Sequence, residues 1–173
     1  MIKDLFFGER FPDIVNVVIE ISSNSKPVKY EMNKKTGMLH VDRFISTSMR
    51  YPCNYGYIPK TLSDDGDPLD VLVLSPNSLI SGCVIEVRPI GLLNMIDESG
   101  LDCKILSVPI DKLTSLYSSI RNYTDLDFSL LNKIEHFFKH YKDLEKNKWV
   151  NVGSWEDAIK AKNEIVKCVN NFV

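Results

Sequence analysis

Four carboxylates fall within the seven residues Asp64-Asp65-Gly66-Asp67-Pro68-Leu69-Asp70, and Val71-Leu72-Val73-Leu74 follows at once. Solvated acid runs do not normally lead into a strand that reads as core, and this one does. Asp65 and Asp67 are two apart, so an extended backbone places them on one face. Gly66 permits tight backbone, and Pro68 fixes φ and bends the path, which can bring Asp70 to the same side. Carboxylates crowded in this way repel, and their pKa values rise unless cations sit between them. Hard divalent metal with oxygen ligands answers that repulsion. The bland alternative is a polar loop that caps a strand. A calcium loop of the EF-hand type is excluded, because it needs Gly at its sixth position and Glu at its twelfth. Counting from Asp65 puts Asp70 sixth, and setting Gly66 sixth puts Leu72 twelfth.

A second acidic knot, Asp97, Glu98 and Asp102, surrounds Ser99-Gly100, and Asp102 shares a strand face with Lys104. Alone it reads as a solvated hairpin tip. Other polar residues interrupt apolar stretches: Glu20 within 14–21, Lys29 and Glu31 on one face of a strand, and Arg43 near the end of another. A buried Glu is unfavourable unless it meets a cation or lies at a strand end. The stretch from Tyr51 to Pro59 reads as a rigid aromatic loop whose phenols suit either a core or an anion site. Tyr141 and Lys142 close a helical segment, and by spacing Tyr141 belongs to its apolar stripe. Together these acids, bases and phenols suit a small polyanion carried with several Mg²⁺ ions. Carboxylates would hold the metal, and Arg, Lys and Tyr the phosphate oxygens. The sequence has no G-x-x-x-x-G-K-[ST], no G-x-G-x-x-G and no G-x-S-x-G.

The elements that must position these residues are short strands first and helices last. Strands are expected over 14–21, from Lys29, over Met38 to Phe44, after Asp70, over Val84 to Met95 and over Leu101 to Val108. A helix is expected over 125–142, capped by Thr124 or Asp125, with Leu130, Ile134, Phe137, Phe138 and Tyr141 on its apolar stripe. Trp149 and Val150 suggest a last short strand. Ser154-Trp155-Glu156-Asp157 resembles a capping box before a final helix to about Val169. The pattern predicts one α+β domain over residues 1–173 with a small, mostly antiparallel barrel or sheet.

Composition agrees with an ordinary globular protein: 173 residues, 44% hydrophobic, 25% charged, formal net charge −2. That charge argues against a general nucleic-acid binder. No apolar run approaches the roughly 20 residues of a membrane span. Met1 to Arg10 has acids early and no long apolar core, unlike a secretory signal. Cys53, Cys83, Cys103 and Cys168 show no C-x-x-C spacing and read as reduced, mostly buried thiols of a cytoplasmic protein.

The sequence resembles the soluble inorganic pyrophosphatases of the single-domain bacterial type (family I). Asp65-Gly66-Asp67-Pro68-Leu69-Asp70-Val71 matches that family's signature at every position. Lys29-Tyr30-Glu31, Val41 to Phe44, Tyr51 to Tyr57, Asp97-Glu98 with Asp102 and Lys104, and His140 to Glu145 look like further family blocks in family order. The resemblance implies a closed five-stranded OB-like β-barrel with helices packed outside, mostly C-terminal. It implies hydrolysis of pyrophosphate to two phosphates with several Mg²⁺ ions per site. Asp65, Asp70, Asp97 and Asp102 would hold metal, and Asp67 would be the general base. Lys29, Arg43, Tyr55 and Tyr141 would bind phosphate, with Glu20, Glu31, Tyr51, Lys104 and Lys142 in support. It also implies a homo-oligomer, commonly a hexamer.

His136 and His140 are four apart, a spacing that can hold zinc, but no third ligand is evident. They point away from the apolar stripe, toward solvent or a subunit interface that protonation near pH 6 would weaken. Three rival readings remain at this level: an OB-type nucleic-acid module, a structural protein that binds divalent metal, and a phosphohydrolase for nucleotides or polyphosphate. The first wants a basic groove with stacking aromatics, and this chain is slightly acidic.

Overall fold

A computed structural model describes residues 5–172, so Met1 to Asp4 of the N-terminal reading lie outside it. Nine strands are described: β1 (Val15–Ile21), β2 (Val28–Asn33), β3 (Met38–Phe44), β4 (Asn54–Tyr57), β5 (Asp70–Val73), β6 (Val84–Asp97), β7 (Gly100–Leu101), β8 (Lys104–Pro109) and β9 (Val150–Asp157). Two helices follow the main run of strands, α1 (Phe128–His140) and α2 (Ala158–Asn171). Strands β1, β4, β5, β8 and β6 pair in that order, and β6 pairs back to β1. The ring closes with five strands, as the resemblance implied. Closure leaves these strands no open edge. The short β7 and the longer β9 add to β6, and β2 with β3 forms a separate hairpin.

Two apolar clusters hold the ring between the helices. Along β5, Val71 and Val73 belong to the cluster that includes Ala161, Ile165 and Cys168 of α2. Leu72 and Leu74 belong to the one that includes Leu131, Ile134, Phe137 and Phe138 of α1. The period of two along a strand produces this sorting. Asp70 has the parity of Leu72, so it stands on the α1 side at the strand's first residue. On β8, Lys104 has the parity of Leu106 and Val108 and does the same.

Several boundaries differ from the sequence expectation. The stretch read as an aromatic loop contains β4, paired with β1 on one side and β5 on the other. Gly56 makes this possible: a Cβ there would lie 1.9 Å from the Val18 carbonyl oxygen. Helix α1 begins later than expected, with Asp127 as its N-cap. Tyr123–Asp125 forms a separate 3₁₀ turn capped by Asn122. Leu131, rather than Leu130, is the first buried residue of the α1 stripe. Ser154 to Asp157 is no capping box; it continues β9, and Asp157 alone caps α2. Pairing with β6 along most of its length holds this segment extended, which outweighs its local helix-start chemistry. All four cysteines are free; Cys53 and Cys168 are buried, while Cys83 and Cys103 are only partly so.

Candidate active site

Asp70 and Lys104 are direct partners across the parallel pair β5–β8. The Lys104 ammonium donates to Asp70 and to Asp102, which lies two residues ahead of it. The Tyr55 hydroxyl donates to the same Asp70 oxygen, and Lys104 lies 3.4 Å from that hydroxyl. Lys104 is only 3% exposed. Burial alone would lower its pKa, but Asp70 and Asp102 outweigh burial and hold it well above the ordinary value. Burial raises Asp102, and Asp70 adds to the rise against the opposing pull of Lys104. Burial likewise raises Asp65, with Asp102 and Asp70 contributing repulsion. These three carboxylates therefore share one electrostatic environment, although Asp102 comes from a chain segment remote from Asp65 and Asp70.

Asp65 and Asp67 meet through a turn, not through strand alternation. Gly66 has φ +88°, and the Asp67 N–H donates to the Asp65 carboxylate at 3.0 Å. Asp67 is open to solvent, its side chain 67% exposed, and Lys34 approaches it at 3.4 Å. On the β6–β7 tip, Lys142 pairs with Asp97 at 2.8 Å and with Glu98 at 3.2 Å. Burial pushes Asp97 upward, but the Lys142 and Ser99 hydrogen bonds bring it below its ordinary value.

The hairpin supplies the other cations. Lys29 and Arg43 are cross-strand partners on β2 and β3, and Asp42 sits 3.2 Å from Lys29. Glu20 solves its burial differently from expectation. Two β1 residues after Ile19 match one on β4, so Glu20 occupies a bulge. It accepts the Met32 N–H of the hairpin at 2.7 Å, and burial lifts its pKa to about 7. Tyr141 satisfies both sequence readings. Its ring stacks on Phe137 at 5.1 Å, yet as the C-cap of α1 it also borders the cleft. Tyr51 packs between Tyr55 and Phe137. Burial raises the pKa of Tyr51, Tyr55 and Tyr141, so all three remain hydrogen-bond donors at neutral pH.

All fourteen residues singled out from the sequence line a single cleft of about 220 Å³. Sequence reasoning missed Lys34 and Lys148 there, and named Tyr57 only among the phenols of the aromatic stretch and Glu98 only as part of the second acidic knot. Tyr57 had a signal, since it alternates with Tyr55 on what is now a strand. Lys34 sits in a hairpin turn and Lys148 beyond α1, where no periodicity marks them. His136 and His140 are exposed on α1, and His140 contacts Asp143 at 2.8 Å.

The cleft gathers eight carboxylates and six cationic side chains, a formal excess of two negative charges. An anion enters such a cleft only with cations of its own. Among the described residues no three acidic, His or Cys side chains converge closely enough to enclose an ion. Mg²⁺ retains several waters and binds through one or two carboxylates plus substrate phosphates, so the donor set fits it. A five-stranded OB-like ring with this mouth defines a class: a barrel whose charged cleft suits a small polyanion accompanied by divalent cations.

Comparison with known proteins makes the class specific. Residues 17–173 match the family model described as inorganic pyrophosphatase. The chain is 52% identical over 171 residues to the inorganic pyrophosphatase of Agrobacterium fabrum, covering 99% of this chain and 97% of that protein. It is 53% identical over 165 residues to that of Pseudomonas aeruginosa, covering 95% and 94%. Among solved structures, one titled as an inorganic phosphatase from Anaplasma phagocytophilum superposes with TM-score 0.96 at 52% identity, covering 98% of this chain and 99% of that one. The inorganic pyrophosphatase of Thermus thermophilus gives TM-score 0.91 at 40% identity, covering 99% and 98%. The chain belongs to the inorganic pyrophosphatase family.

Proposed function

We propose that this chain hydrolyses pyrophosphate to two phosphates, with Asp67 as the general base and Mg²⁺ as the required metal. One observation carries the reading of the site. Asp65, Asp70 and Asp102 line the same cleft as Lys29 and Arg43, so the groups proposed for metal and those proposed for phosphate face one volume. Asp65, Asp70 and Asp102 would hold Mg²⁺, with Asp97 serving a further ion. When bound, Mg²⁺ supplies positive charge against the pyrophosphate oxygens and makes water more acidic.

The chain's own groups do the rest. Phosphoryl transfer asks for positioning and charge neutralisation more than for covalent chemistry. Lys29 and Arg43, fixed side by side by the hairpin register, take phosphate oxygens. Tyr141 donates a hydroxyl hydrogen bond to them, and Tyr55, whose one hydroxyl proton goes to Asp70 here, would donate to phosphate on release from that carboxylate. Asp67 is exposed and borders the cleft, so its carboxylate can accept the proton of the attacking water. Water oxygen bonds to one phosphorus, the bridging P–O bond breaks, and the second phosphate leaves with the bridging oxygen. Lys104 and Lys142 keep the metal-binding acids spaced and charged. Glu20, Glu31 and Tyr51 shape the wall behind them.

We further propose a cytoplasmic homohexamer, supported by the family and by the outward-facing His136 and His140. Among the described residues no helix is long and apolar enough to cross a membrane. The test of function is phosphate release from pyrophosphate with and without millimolar Mg²⁺, beside ATP and tripolyphosphate. Fast, Mg²⁺-dependent release from pyrophosphate alone is expected. A folded, Mg²⁺-binding protein that releases none would overturn the proposal.

A further inference from the structure

Arg43 borders the cleft, and behind it lies a carboxylate that does not. Glu145 sits in the turn after α1, where its N–H donates to the Lys142 carbonyl at 2.9 Å. Its Oε1 faces the Arg43 Nε at 3.5 Å, and its side chain is 10% exposed. Both atoms are buried, and neither has a hydrogen-bond partner. Among the described residues Ser25 Oγ is the one other buried side-chain polar atom in that condition. Buried charged groups without a hydrogen bond are costly, and each one in a native structure calls for an explanation. These two orphans face each other across a gap at the long limit of a hydrogen bond. Active-site hydrogen bonds are often long in the free enzyme and shorten in the substrate complex.

The alternative partner for Arg43 is already engaged. Asp42 stands 3.9 Å from Arg43 but 3.2 Å from Lys29. Arginine offers several donors in a rigid planar fork, so one edge can be held while another binds phosphate. We infer that Glu145 is a positioning residue for Arg43, holding its Nε edge so that the remaining N–H groups face the bound phosphate. The contact also ties the β2–β3 hairpin to the turn that follows Tyr141 and Lys142. Two elements that line the cleft from separate parts of the chain are thereby set relative to each other. The inference deepens the pyrophosphatase reading and rests on it.

The test is a double-mutant cycle read by calorimetric binding of methylenediphosphonate in Mg²⁺, with pyrophosphate kinetics alongside. In the wild-type background, E145A is expected to weaken binding about tenfold and E145Q about threefold, and in an R43A background E145A should change it less than twofold. KM for pyrophosphate should rise while kcat stays within about threefold, the pattern of lost uniform binding. E145Q keeps the shape of the side chain and decides the matter if E145A does not fold. Unchanged binding in E145A and E145Q, or an equal loss with and without Arg43, would overturn the role of Glu145. Wild-type protein lacking Mg²⁺-dependent pyrophosphate hydrolysis would instead overturn the function itself, whatever the Glu145 variants do.

Discussion

Asp70 and Lys104 oppose each other across the parallel strands β5 and β8, and the Lys104 ammonium also reaches Asp102. One buried cation thus sits between two of the carboxylates proposed to hold metal and offsets half of their charge. Removing it leaves two acids crowded without compensation, and breaking a buried pair typically costs about 3–5 kcal/mol. K104M should therefore lose stability in chelator, with part of the loss restored by millimolar Mg²⁺, which can take over the neutralisation. Urea denaturation with EDTA and with Mg²⁺ measures both. A loss of equal size in the two conditions would separate Lys104 from the metal-binding acids.

Asp67 is more exposed than Asp64, Asp65 or Asp70, and it contributes little to packing. D67N should retain wild-type unfolding behaviour. Its kcat should fall by about 10²–10⁴-fold, the usual contribution of a general base. Near-wild-type turnover in D67N would remove Asp67 from that role.

Glu20 titrates at about 7 in the folded chain because burial disfavours its charge, against an ordinary value of 4.5. The folded state therefore holds this proton more tightly than the unfolded state. Its contribution to stability is present below about pH 4.5 and is lost as pH rises to about 7, with the full loss, about 3 kcal/mol, in place above. E20Q keeps an oxygen acceptor for the Met32 N–H and carries no charge. Without metal it should be more stable than wild type at pH 8, by about 2–3 kcal/mol, with the advantage vanishing below about pH 4. Chemical denaturation at the two pH values tests this, and a pH-independent difference would count against it.

Gly56 pairs with Ile19 where β4 lies against β1, and a methyl group there would overlap the Val18 carbonyl. G56A must push the two strands apart or distort them, an overpacking cost of about 3 kcal/mol. Tyr55 and Tyr57 flank the site, so KM should rise as well. An alanine variant with unaltered thermal midpoint and KM would show that the strands relax freely.

The knot at Asp64 to Asp70 was legible from its place before a strongly apolar strand, whereas the knot at Asp97 to Asp102 read alone as a hairpin tip and took on a role only through the family resemblance. Alternation gave most strand positions, and the α1 stripe placed Ile134, Phe137 and Phe138 correctly. Chain-local signals failed where a distant partner outbids them. The capping chemistry at Ser154 gives way to pairing with β6, and the loop-like residues around Gly56 become a ring strand because two neighbours hold them. Sequence could propose Tyr141 as core or ligand, but only its position at the end of α1 makes it both.

The sequence by itself determined the inventory: which carboxylates, cations and phenols are available, and that many stand at the ends of strands. Residue type and two-residue periodicity are local properties, so they can be read without the fold. Tertiary structure alone decided the pairings: Asp70 with Lys104, Lys29 with Arg43, Arg43 with Glu145. Register across strands and the approach of a hairpin to a helix end bring residues far apart in sequence together. That is where separate charges acquire their shared electrostatics.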